Sequence, residues 1–160
     1  MIVDTSAILA ILFGEPEGED LTGSLCEAGV RLLCSVNALE AAIVVSARKG
    51  APGLRELDLL LHVADVGVVP FTDEQLLLAR EAYERFGRGR HPAGLNLGDC
   101  CAYALSKHSG EPLLFKGEDF VRTDIQPAWL PPARSDRGSP APRRGPRPRP
   151  PVSGRRGARR

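Results

Sequence analysis

Short apolar runs alternate with helical stretches along the first 130 residues, and this alternation is the feature that most restricts the fold. Met1–Val3, Val30–Val36, Val66–Phe71 and Pro112–Phe115 read as strands, because β-prone apolar residues fill them and turn residues bound them. Between them the spacing predicts helices over Ala7–Phe13, over Gly18–Ala28, from Asn37 to the Gly50-Ala51-Pro52-Gly53 break, and over Leu54–Ala64, Asp73–Phe86 and Leu97–Ser109. The helix signals are local and specific. Thr5-Ser6 offers an N-cap, Thr72 with Gln75 makes a capping box, Asn37 and Asn96 stand as caps, and Gly110 is a stop. Leu54, Leu57, Leu60, Leu61 and Ala64 form an apolar stripe at helical spacing, which reads as core. A short element over Phe120–Ile125 follows the last strand. Strands separated by helices predict an α/β layer structure with a mainly parallel sheet.

Charge divides the chain at the point where the pattern stops. Residues 131–160 hold ten Arg and one Asp, a net +9, whereas residues 1–130 hold 11 basic against 19 acidic residues, a net −8. The basic stretch also carries eight of the 14 prolines. It shows no apolar periodicity, so it cannot bury enough surface to offset its ordering entropy and is expected to be disordered. The expected organisation is therefore one folded domain, 1–130, and a Pro/Arg-rich tail, 131–160.

Several classes drop out. No apolar run reaches the roughly 18 residues of a membrane span, and Ala7–Phe13 follows Asp4 rather than a basic region, which argues against a secretory signal. Cys26, Cys34, Cys100 and Cys101 form no CxxC pair and read as reduced thiols, so the cytoplasm is the expected compartment. No GxxxxGK[ST] phosphate loop occurs.

The chemistry lies in carboxylates placed where elements begin or end. Asp4 closes the first strand, at the edge where open parallel sheets bind ligands. Glu40 and Asp99 each follow an Asn by three residues in a first helical turn, and Asp119 comes just after the last strand, with Asp124 beyond it. Carboxylates crowded together repel one another unless a cation intervenes. Mg²⁺ takes oxygen ligands of this kind. Taken singly, Glu40 and Asp99 fit capping or dipole roles equally well. Asp4 is harder to explain that way, since a carboxylate ending an apolar strand is costly without a partner.

The same residues carry a resemblance. Met1-Ile2-Val3-Asp4-Thr5-Ser6-Ala7, Asn37-Ala38-Leu39-Glu40, Leu95-Asn96-Leu97-Gly98-Asp99-Cys100-Cys101-Ala102-Tyr103-Ala104 and Leu114-Phe115-Lys116-Gly117-Glu118-Asp119-Phe120-Val121-Arg122-Thr123-Asp124-Ile125 occur in order. Together they resemble PIN-domain ribonucleases, in particular VapC-type toxins, over about residues 1–130. The resemblance implies a three-layer α/β/α fold, Mg²⁺ or Mn²⁺ dependence, endonucleolytic cleavage of RNA leaving 5′-phosphate and 3′-hydroxyl ends, and restraint by a VapB-type antitoxin. It implies Asp4 and Asp99 as main metal ligands, Glu40 and Asp119 completing the acidic pocket, and Thr123 and Asp124 supporting it. A homodimer is expected as well, with the N-terminal helices offering grooves to antitoxin and second copy.

An acidic body needs local positive charge to receive RNA. Arg85, Arg88, Arg90 and His91 lie in or beside the Gly-rich loop before Asp99, where they are candidates for phosphate contact and equally a solvated loop. Lys116 is a further candidate. His62 and His108 read as surface or packing residues. Two other functions compete. A haloacid-dehalogenase-like phosphatase also begins with a strand-end Asp, but needs a second Asp two residues on, where this chain has Ser6. A noncatalytic protein-binding module of the same fold would use the acids only structurally.

Overall fold

The computed structural model describes residues 1–131. Its elements run β1 (Ile2–Val3), α1 (Thr5–Leu12), α2 (Gly18–Glu27), β2 (Leu32–Cys34), α3 (Ser35–Val63), β3 (Gly67–Val69), α4 (Asp73–Phe86), α5 (Leu97–Ser109) and β4 (Leu113–Leu114), followed by a one-turn 3-10 helix over Phe120–Arg122. The four strands form one parallel sheet in the order β3-β2-β1-β4. The disorder expected for the tail concerns, apart from Pro131, residues outside the described ones.

The strands lack polar alternation because both faces of the sheet are covered. Ile2, Cys34 and Leu113 face one core with Phe86, Leu95, Cys100 and Tyr103 from the α4–α5 side. Val3, Leu33 and Leu114 face the other, with Ile8 of α1, Leu21 and Leu25 of α2, and Ala41, Val45 and Leu57 of α3. Neighbouring residues in one strand thus serve opposite cores, which is the period-two geometry of a pleated strand. The result is a three-layer α/β/α sandwich. The Leu54–Ala64 stripe is core, as its spacing predicts: Leu57 is buried, and Leu60, Leu61 and Ala64 pack on the same cluster.

The strands are shorter than their apolar runs, because only residues paired to a neighbour count and Val30 and Val66 lie beyond the paired segments. Two helix starts differ from expectation. Asp4, not Thr5-Ser6, caps α1, accepting from the Ser6 N–H at 2.8 Å. α3 begins at Ser35, two residues before Asn37, so Asn37 is no cap and is fully buried inside the first turn. α4 and α5 match their predicted bounds, with both capping boxes formed. At the expected break Gly50 leaves helical geometry, with φ 61° and ψ −153°, values that suit glycine, so α3 is two helices joined at a kink.

Candidate functional site

Three elements end at one place beyond the carboxyl edge of the sheet. β1 delivers Asp4, α3 delivers Asn37 from its first turn and Glu40 from its second, a turn further in than the sequence placed it, and the first turn of α5 delivers Gly98 and Asp99. A hydrogen-bond network joins them. Asp4 accepts from the Ser6 N–H at 2.8 Å, from Ser6 Oγ at 2.6 Å and from Asn37 Nδ2 at 3.3 Å. Asn37 Nδ2 also lies 3.1 Å from Thr5 Oγ1 and 3.1 Å from the Gly98 carbonyl oxygen. Thr5 Oγ1 donates to Glu40 Oε2 at 2.6 Å. Ser6 Oγ further accepts from the Lys116 N–H at 2.9 Å, which ties the chain after β4 to the same point.

Glu40 lies so close to α5 that a methyl group on Gly98 would stand 2.4 Å from Glu40 Oε2. This glycine therefore permits close approach between two helices. Asp99 completes its capping box with Asn96, accepting from the Asn96 N–H at 2.7 Å while its own N–H donates to Asn96 Oδ1 at 3.1 Å. Asp119 begins the 3-10 turn and is exposed.

Among the described residues no basic side chain balances these charges. Asp4 is 3% exposed. Burial raises its pKa, partly opposed by the Ser6 hydrogen bonds, and the Glu40 charge raises it further. Asp99 is pushed from 3.8 up to about 6, first by burial, against the Asn96 N–H, and then by the charges of Asp4, Asp119 and Glu40. Among the described residues, none of the ion pairs includes Asp4, Glu40, Asp99 or Asp119.

This all-oxygen, uncompensated set suits a hard divalent cation. Asn37 Oδ1 is, in addition, a buried acceptor with no hydrogen-bond partner. No three Asp, Glu, His or Cys side chains form a ready chelate among the described residues. A Mg²⁺ ion commonly keeps several waters and takes only one or two carboxylates directly, so Asp4 and Asp99 suit it without a third carboxylate.

The remaining predicted residues fall into two groups. Thr123 ends the turn that Asp119 begins, donating to the Phe120 carbonyl at 2.7 Å. Asp124 is held elsewhere: it accepts from Tyr103 Oη at 2.7 Å and pairs with Arg85 and Lys107, each at 3.2 Å. Those partners hold its pKa below the usual carboxylate value despite the opposing effect of burial. Of the basic candidates, Arg85 is engaged by Glu81 and Asp124. The Lys116 ammonium is engaged by Glu15 and Glu17. Arg90 lies 5.5 Å from the Tyr83 ring centre, and Arg88 is exposed. His91 packs edge-on against Phe86, and His62 and His108 are exposed. All four cysteines are free. Beneath the acids, Cys34 and Cys101 share a hydrogen bond that lowers the pKa of the first and raises that of the second.

Sequence reasoning missed Asn37 as a member of the site, and it treated Thr5, Ser6 and Gly98 as mere neighbours of acids. The one signal available was their place inside the quoted motifs.

Comparison with known proteins agrees with this architecture. The PIN domain family matches residues 1–126. A protein named ribonuclease VapC from Mycolicibacterium smegmatis is 54% identical over 125 residues, covering 78% of this chain and 97% of that protein. Ribonuclease VapC30 of Mycobacterium tuberculosis is 50% identical over 131 residues, covering 82% of this chain and 100% of its own length. Among solved structures, VapC20 of Mycobacterium tuberculosis, described as a sarcin-ricin loop cleaving toxin, superposes with a TM-score of 0.64 at 17% identity, covering 78% of this chain and 95% of that one. That last likeness concerns the fold alone.

Proposed function

The chain belongs to the PIN-domain family, among its VapC-type ribonucleases, and from that premise we propose that it is the toxin of a VapBC-type pair, an endoribonuclease that uses Mg²⁺ or Mn²⁺. One observation carries the reading: hydrogen bonds through Thr5 and Asn37 draw Asp4, Glu40 and the Gly98–Asp99 turn of α5 to one place, and among the described residues no basic side chain pairs with these acids.

Asp4 and Asp99 would hold the cation, with Glu40 and Asp119 completing the acidic rim. When bound, such an ion lowers the pKa of a coordinated water and neutralises charge on the scissile phosphate. The chain's own part is orientation. Ser6 and Asn37 fix the Asp4 carboxylate, Thr5 fixes Glu40, and the Asn96 backbone fixes Asp99. Groups locked in this way need no rearrangement before reaction, which is where much of the rate gain of a positioned site arises. Arg88 and Arg90, on the exposed loop before α5, would take RNA phosphates beside the acids. Lys116 would do so only on leaving Glu15 and Glu17.

The antitoxin and a second copy need apolar surface. Leu39 and Ile43 of α3, one helical turn apart, are 62% and 60% exposed and support a partner-covered stripe. Among the described residues no helix is long and apolar enough to cross a membrane, and a cytoplasmic location is part of the proposal.

The test is RNA cleavage with Mg²⁺, with EDTA, and by Asp4→Asn. Chelation should stop cleavage, and Asp4→Asn should lower the rate by about 100-fold or more while circular dichroism stays native. Product ends should be 5′-phosphate and 3′-hydroxyl. A 2′,3′-cyclic phosphate, or an Asp4→Asn protein that cleaves at the native rate, would overturn the reading in favour of another nucleophile or a noncatalytic binding module.

A further inference from the structure

Lys116 stands where two segments of the acidic site meet. It follows β4 by two residues and precedes Asp119 by three. Its backbone N–H donates to Ser6 Oγ at 2.9 Å, and Ser6 Oγ donates in turn to Asp4 Oδ2 at 2.6 Å. A serine hydroxyl carries one hydrogen and two acceptor lone pairs. With the Lys116 N–H against a lone pair, that hydrogen is left for Asp4. The orientation of the hydroxyl therefore depends on where residue 116 is held.

The Lys116 side chain does the holding. Its ammonium pairs with Glu15 and, at 3.4 Å, with Glu17, both in the loop between α1 and α2. Backbone hydrogen bonds fix that loop in place: the Glu15 N–H donates to the Ala10 carbonyl at 2.9 Å, and the Gly18 N–H to the Glu15 carbonyl at 2.8 Å. Glu17 Oε2 is buried with no hydrogen-bond partner, so withdrawing the ammonium would strand a carboxylate oxygen out of water. Arg88 and Arg90 differ from Lys116 in this respect. Both are exposed, and among the described residues neither is in an ion pair, so they meet phosphates without giving up a carboxylate.

We propose that Lys116 is a positioning residue: clamped to the α1–α2 loop by Glu15 and Glu17, it holds its own N–H on Ser6 and so keeps the Asp4 carboxylate in the orientation that receives the cation. The inference rests on the metal-dependent nuclease reading for what Asp4 receives. Lys116 stays on its carboxylates when RNA binds, and its effect passes through Ser6 to Asp4. An ammonium near a cation site repels the cation, so on charge alone Lys116→Met would tighten divalent binding. Loss of the clamp weakens it instead.

The experiment uses the full chain. Mn²⁺ binding is measured by calorimetry without RNA, with Asp4→Asn as the reference that identifies the site. Lys116→Met should raise the Mn²⁺ Kd about tenfold, the usual loss when a group that orients a metal ligand is disturbed. Lys116→Arg keeps a cation on the two glutamates and should restore binding. In RNA cleavage, Lys116→Met and the combined Glu15→Gln, Glu17→Gln chain should each lower kcat about tenfold and leave KM unchanged. A lysine that contacts RNA would separate these two proteins: Lys116→Met would raise KM, and the glutamine pair, by freeing the ammonium, would lower it. That separation would overturn the clamp. So would native or tighter Mn²⁺ binding by Lys116→Met. If the native chain cleaves no RNA, while Mn²⁺ still binds through Asp4 and Lys116→Met still weakens it, the nuclease reading fails and the clamp stands.

Discussion

Two helices bring the same four-residue pattern to one site, and they use it in different ways. On α5, Asn96 and Asp99 form a closed local box: each side chain satisfies the other's backbone N–H, and Asn96 is exposed. On α3, Asn37 is fully buried, and its Nδ2 reaches Asp4, Thr5 and Gly98, which belong to the β1–α1 junction and to α5. One asparagine ends a helix and the other joins three elements. Where a polar side chain is exposed at a helix start, local geometry decides its role. Where it is buried, the unsatisfied groups around it decide.

Alanine at the two positions should separate these roles. Asn37→Ala leaves the Gly98 carbonyl and the Asp4 carboxylate short of a donor in a buried setting, and it should cost about 2–4 kcal/mol. Asn96→Ala loses a cap and should cost about 1 kcal/mol. Urea unfolding without divalent cations measures both. Asp in place of Asn96 should keep the cap, whereas Asp in place of Asn37 adds a negative charge against Asp4. Equal costs for the two alanine variants would erase the distinction.

The same distinction explains how far the sequence could be read. α4 and α5 were legible to the residue, because Thr72 with Gln75 and Asn96 with Asp99 are capping boxes whose partners lie three residues apart. An α/β layer structure with a mainly parallel sheet was legible because strand runs alternate with helical ones, and the three-layer form came from the family resemblance. The four candidate acids were legible as ends of elements. Asn37 was not, since its three acceptors are 61, 33 and 32 residues away. The partners of Asp124 and Lys116 were illegible for the same reason. Arg85 reaches Asp124 across 39 residues and Glu15 reaches Lys116 across 101, and spacing along the chain cannot show which charges are neutralised in the fold.

A smaller effect concerns the acid that stands in the local box. Burial and the charges of Asp4, Asp119 and Glu40 lift Asp99 from 3.8 to about 6, so the folded chain holds this proton more tightly than the unfolded chain. The stability this confers is full below the unfolded value and is lost as pH rises through the folded one. Without metal, the stability of Asp99→Asn relative to the native chain should therefore improve between about pH 4.5 and pH 7.5, because the variant escapes the cost of ionising. Added Mg²⁺ at the higher pH should stabilise the native chain and leave the variant less affected. Thermal melts with and without EDTA read both. A relative stability that does not change with pH would mean that Asp99 ionises freely in the fold.

The smallest change in stability should come where the two helices touch. Gly98 sits in the first turn of α5, and a methyl group there would stand 2.4 Å from Glu40 Oε2 and 2.9 Å from its Cδ. The obstructing atoms are the end of a flexible side chain, so Gly98→Ala should displace the Glu40 carboxylate rather than break the fold. The helix gains about 0.5–1 kcal/mol from replacing glycine. The displaced carboxylate gives up the Thr5 hydroxyl, a loss of about 1 kcal/mol. The two nearly cancel, so unfolding should be almost unchanged while RNA cleavage falls by about tenfold or more, the usual cost of disturbing a group that supports a metal site. The effect depends on Glu40 being present. In a Glu40→Ala chain the added methyl meets no carboxylate, and Gly98→Ala should lower cleavage no further. Additive losses in the double variant would place the glycine's contribution in α5 itself and detach α3 from the chemistry.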